Sequence, residues 1–134
     1  MKRFLMVYVS SLVVFLIVDV IWVGYIAGPF YRAELEGIIS DNFRMMPALV
    51  FYLLFVLGMV QLVVFPSLDR SVPILLGRAA LFGLVCYSTY ELTNYATIKK
   101  WPLSVVAFDL TWGVGISCLI SFFGYWLARN VFTA

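Results

Sequence analysis

The sequence predicts an all-α membrane protein, a four-transmembrane-helix bundle with antiparallel up-down topology. Three observations carry that expectation. Of the 134 residues, 64% are hydrophobic and only 12% charged, a balance foreign to soluble domains. The apolar residues fall into four runs, each near the ~20 residues needed to cross a bilayer. The nine basic residues stand at the ends of those runs, where cations snorkel to the interface.

The first run spans about 4–26 behind Lys2-Arg3 and contains Asp19. A signal peptide has an apolar core of only about 7–15 residues, so this reads as a retained first span. A polar loop at 27–46 follows, with Pro29, Arg32, Glu34, Glu36, Asp41 and Arg44. Phe30 and Tyr31 in this loop stand where interfacial aromatics belong, and a short surface helix fits there. Pro47 suits the first turn of the second span, 47–65, because that turn has no use for its missing N–H. Pro66 closes this span.

The third span, about 72–98, opens at Val72-Pro73 and stops at Lys99-Lys100-Trp101-Pro102, which combines cations, an interfacial indole and a helix stop. The fourth, 103–127, ends before Arg129-Asn130. The chain thus reads as one integral membrane domain, 1–134. Lys2, Arg3, Arg70, Arg78 and Arg129 share one side, and Arg32, Arg44, Lys99 and Lys100 the other. This slight excess places both termini in the cytoplasm.

Composition also narrows function. The net charge of +2 is small, and no basic patch suggests a nucleic-acid partner. The absence of histidine removes imidazole catalysis and His-based metal sites. Cys86 and Cys118 lie in apolar runs without C-x-x-C spacing and read as small hydrophobes. The sequence therefore asks for no cofactor and no metal. Its partner is the lipid bilayer, with a small-molecule or lipid ligand and a second copy in a homodimer as further candidates.

The stretch Tyr87–Thr97 breaks the apolar pattern. It places Glu91, Asn94, three tyrosines and several hydroxyls at the end of a span. Measured from the non-terminal side, Asp19, Glu91 and Asp109 each lie about eight or nine residues inside a span, roughly 12 Å deep at ~1.5 Å per residue. Three acids on three helices are thus expected to share one layer. Helical spacing puts Tyr87, Glu91 and Asn94 on one face, Asp109 beside Trp112, and Asp19 beside Trp22. Three ionised carboxylates in one low-dielectric layer repel one another, so some must be protonated, paired or bridged by a cation. Arg32 and Arg44, on the same side, are the candidate partners.

The expected ligand-binding residues are Asp19, Trp22, Tyr52, Tyr87, Tyr90, Glu91, Asn94, Asp109 and Trp112. Intramembrane acids mark pathways or cavities, and acids beside ring faces suit a proton-linked, cationic or amphipathic ligand. An alternative is a membrane-embedded enzyme acting on a lipid or isoprenoid, with Glu91 and Asp109 as general acid and base and Asp19 holding charge or a divalent cation. An assembly or regulatory subunit is a third reading, in which the polar layer only sets helix register; the hydroxyls and the small-residue ridge Gly113, Ser117, Ser121 read as helix packing. The echo of Asp19-x-x-Trp22 in Asp109-x-x-Trp112 is too short to establish an inverted repeat.

The residues Gly77-Arg78-Ala79-Ala80-Leu81-Phe82-Gly83-Leu84, Tyr87, Thr89-Tyr90-Glu91-Leu92-Thr93-Asn94, Trp101-Pro102, Asp109 and Trp112-Gly113 resemble a bacterial membrane family, domain of unknown function 2177 (DUF2177). Asp19-x-x-Trp22, Arg44-x-x-Pro47-Ala48, Tyr52 and Pro66 are also similar to it, so the resemblance covers nearly the whole chain. Glu91 stands where the family pattern has aspartate. The resemblance implies a four-span bacterial inner-membrane protein and supplies no activity.

Overall fold

The structure, a computed structural model, describes residues 1–133. Five α-helices run in chain order: α1 (Lys2–Ile21), α2 (Gly28–Glu34), α3 (Met45–Met59), α4 (Val72–Thr97) and α5 (Leu103–Asn130). With their extensions they make four helices long and apolar enough to cross a bilayer: Lys2–Glu34, Met45–Ser67, Val72–Thr97 and Leu103–Asn130.

The first of these is longer than the sequence suggests. A π-helical turn, Trp22–Ala27, joins α1 to α2, so helix occupies the first part of the expected 27–46 loop and only 35–44 is irregular. The cause is Pro29. A proline inside a helix lacks a donor and crowds the carbonyl four residues back, and a widened π-turn just before it relieves that conflict without ending the helix. Gly28 completes the turn, because a Cβ there would overlap the Val23 carbonyl. The second span repeats the device: a π-helical turn at Val60–Val64 precedes Pro66, and a short 3₁₀ turn carries the helix to Ser67. In the 35–44 loop Gly37 takes φ +81°, a region that favours a residue without Cβ.

Helix α5 is the hub. It packs along α4 in the most extensive helix pair and also meets α1, α2 and the end of the second span. Close approach of α4 and α5 depends on small residues. A Cβ on Gly83 would overlap the Gly113 carbonyl and the Ser117 side chain, and one on Gly113 would overlap the Tyr87 ring. Ser117, Ser121 and Gly124 continue this buried seam, with Gly124 against Ser11 of α1. Small residues are what let helices approach closely where water supplies no driving force.

The main apolar core gathers Val7 and Phe15 of α1, Phe55, Val56 and Met59 of α3, Leu75 and Ala79 of α4, and Ile116 and Ile120 of α5. A second cluster, Leu35, Trp101, Val105 and Val106, seats α2 and the following turn on the start of α5 with help from Phe30 and Tyr31. Polar ties set depth at the other end: Arg3 donates to the Ala128 carbonyl at 2.6 Å, and Tyr125 donates to the Arg70 carbonyl at 3.0 Å, meeting backbone acceptors that helix ends and turns leave open. Leu5, Val9, Leu54, Leu57, Leu81 and Leu119 remain exposed on the outer faces, as lipid-facing positions should.

Replacing Gly83 or Gly113 by Leu is therefore expected to cost at least about 1–3 kcal/mol through overpacking, read as reduced resistance to denaturation in mixed micelles. Gly77→Ala and Gly115→Ala, where nothing lies within 4 Å, are expected to leave stability unchanged or raise it by up to about 1 kcal/mol.

Candidate functional site

The polar residues collect at the end of the bundle that carries α2 and the 35–44 loop. Asp19 is the last of four buried positions on α1, after Val7, Ser11 and Phe15, a spacing of four that keeps all of them on the core face. It is 6% exposed. Tyr52 of α3 donates its hydroxyl to Oδ2, and the Trp112 indole of α5 donates to Oδ1 at 3.3 Å. One carboxylate thereby joins three helices.

Trp112 also stacks on Trp22, with ring centroids 4.0 Å apart and planes 1° from parallel. Trp22 in turn stacks on Phe108, and Phe108 meets Phe30 of α2 at 4.4 Å. The two Asp-x-x-Trp segments thus meet through their indoles in the folded chain. The Trp22 Nε1–H is buried and has no partner among the described residues.

Asp109, 8% exposed on α5, accepts a hydrogen bond from the Tyr31 hydroxyl of α2. Glu91, fully buried on α4, accepts one from the Trp101 indole, whose Nε1 stands 2.7 Å from Oε2. The partners of all three acids are neutral phenols and indoles. Arg44 and Arg32, the partners suggested by the sequence, line cavity walls instead. The physical reason is desolvation: a phenol or indole satisfies an oxygen without a second buried charge.

Two adjoining cavities occupy this end. The first, about 530 Å³, is lined by Asp19, Trp22, Tyr31, Arg44, Tyr52, Tyr87, Tyr90, Asp109 and Trp112, with Cys86 and several apolar side chains. That volume is within the range of small-molecule sites. The second, about 710 Å³, is lined by Tyr31, Arg32, Asp41, Tyr90, Glu91, Trp101 and Asp109, among others. Tyr31, Tyr52, Tyr90 and Asp109 belong to both.

Of the nine residues singled out from the sequence, seven line the first cavity: Asp19, Trp22, Tyr52, Tyr87, Tyr90, Asp109 and Trp112. Glu91 lines only the second, and Asn94 lines neither. Asp19 and Asp109 thus line the first cavity and Asp109 and Glu91 the second, with Asp109 at the boundary between the chambers. Among the described residues no three acidic, Cys or His side chains converge in a metal-binding group. Helical spacing did not reveal Tyr31 or Trp101 as partners of the acids, since Tyr31 lies 78 residues from Asp109 and Trp101 follows the end of α4. The only sequence signal was an aromatic residue at each interface.

Tyr52→Phe removes a donor from a buried carboxylate and is expected to destabilise the bundle by about 1–3 kcal/mol. In unfolding titrations in mixed micelles, the double variant Asp19→Ala/Tyr52→Phe should cost less than the two singles combined. Additive losses instead would show that this contact contributes no coupling.

No match was found among curated proteins or among solved structures. A family model does match: the one described as predicted membrane protein (DUF2177) aligns with residues 4–126, which include all but the ends of the first and last helices and the lining residues of both cavities. The chain belongs to this family of membrane proteins.

Proposed function

We propose that this four-span membrane protein binds a small amphipathic organic cation in the Asp19 cavity, as a carrier or transporter in a bacterial inner membrane with both termini cytoplasmic. The observation that carries the reading is one buried carboxylate set among aromatic rings that also line a cavity: Asp19 with Trp22, Tyr52, Tyr87 and Trp112. Ring faces attract cations, and the attraction grows where water is excluded. Both Asp19 oxygens already accept hydrogen bonds, so the acid offers net charge more than an unused acceptor. A cation without N–H groups, such as a quaternary ammonium with a short alkyl tail, matches that chemistry. The apolar outer faces of the helices give such a tail access to an environment it prefers.

A second reading rests on the Tyr31–Asp109 pair. A phenol bonded to a carboxylate inside an apolar chamber places a proton donor and a base together, as acid–base chemistry on a lipid or isoprenoid requires. Lipid extracts from cells with and without the protein test this reading, and identical profiles reject it.

For the binding reading, hexyltrimethylammonium added to purified protein in neutral detergent should give a saturable rise in thermal stability and a change in tryptophan fluorescence. Asp19→Asn keeps the size and the acceptor for Tyr52 but removes the charge, and should weaken the response by about tenfold. A wild-type protein indifferent to this probe, or an Asp19→Asn variant that responds equally, would sink the proposal.

A further inference from the structure

Of the three acids, Glu91 is the one with a buried carboxylate oxygen that has no partner among the described residues. Its side chain is fully buried. The Trp101 indole holds Oε2 at 2.7 Å, whereas Oε1 is buried with no hydrogen-bond partner among the described residues. A carboxylate offers about four acceptor positions, and an unmet one on a buried charged group costs more than on a neutral group. Buried polar atoms are nearly always paired, so an exception calls for a specific cause.

The surroundings point to that cause. Glu91 lines the chamber of about 710 Å³ together with Arg32, Asp41, Tyr90, Trp101 and Asp109. Three acidic side chains and one guanidinium make the charged lining of this chamber mostly acidic. The Tyr90 ring meets Trp101 edge-on, 6.0 Å between centroids and 86° between planes, so the indole that orients Glu91 is itself held in place. A carboxylate oxygen that is oriented and unused is complementary to an N–H donor, most of all to one carrying positive charge.

We propose that the Glu91 chamber is a second ligand site, which takes the head of a primary ammonium compound by donation of an N–H to Glu91 Oε1. The two sites then read different cations. The Asp19 cavity suits a head with no hydrogen to donate, and the Glu91 chamber requires one. The site does not depend on the Asp19 reading, because Glu91 lies outside the first cavity.

The probes are butylammonium and hexyltrimethylammonium, each titrated into the full-length protein in neutral detergent and read by thermal stability and tryptophan fluorescence. Butylammonium is expected to bind wild type saturably and at least about tenfold more weakly to Glu91→Gln, whose amide nitrogen faces the chamber once its oxygen accepts from Trp101. Asp19→Asn should leave butylammonium binding unchanged. Glu91→Gln should still respond to hexyltrimethylammonium, which separates its loss of butylammonium binding from a loss of fold. The proposal is overturned if butylammonium does not bind wild type, if Glu91→Gln binds it equally, or if Asp19→Asn alone abolishes it. A response to hexyltrimethylammonium that survives Glu91→Gln and fails in Asp19→Asn keeps the first site intact whatever happens at the second.

Discussion

A carboxylate surrounded by hydrocarbon has to find a donor, and the upper half of this bundle is arranged by that requirement. Asp19 draws α1 toward α3 through Tyr52 and toward α5 through Trp112. Asp109 holds α2 down on α5 through Tyr31. Glu91 ties α4 to the connection that leads into α5 through Trp101. Each tie uses a neutral donor carried on an aromatic ring, so the same residue that satisfies the charge also fills space. Together they set the depth of each helix relative to its neighbours at the end where apolar packing alone leaves sliding inexpensive.

Toward the termini the bundle is held by a different principle. Gly83, Gly113, Ser117, Ser121 and Gly124 permit close backbone approach, and dispersion contacts along that seam add to the Arg3 and Tyr125 ties. Moving along α5 from this seam toward Asp109, side chains change from small to large and flat: Trp112, then Phe108, stacked with Trp22. Rigid rings meet a few neighbours well and leave gaps elsewhere, and both cavities lie on this side.

The two chambers differ chemically although each contains an acid. Around Asp19 the protein supplies a donor to each oxygen and surrounds the charge with ring faces. Around Glu91 one oxygen is bound and the other has no partner among the described residues. Asp109 and Tyr31 border both chambers and are joined by a hydrogen bond, so this pair forms part of the wall between them. The proline-bearing helix that carries Tyr31 is part of that wall, since the π-turn before Pro29 is what allows the first span to continue over the top of α5.

The four spans were legible in the sequence because span length and hydropathy are local quantities, and the four long apolar helices appear where the runs predicted them. So was much of the polar group: seven of the candidate residues share a cavity because i, i+4 spacing fixes the face of a helix on which each lies. What the sequence by itself could not determine was how those faces turn toward one another. The distribution of the acids over two chambers, the Trp22–Trp112 stack, and the recruitment of Tyr31 and Trp101 as donors were decided only in the tertiary structure. Periodicity belongs to one helix at a time, whereas the rotation and depth of one helix against another are set by side chains that meet across dozens of residues.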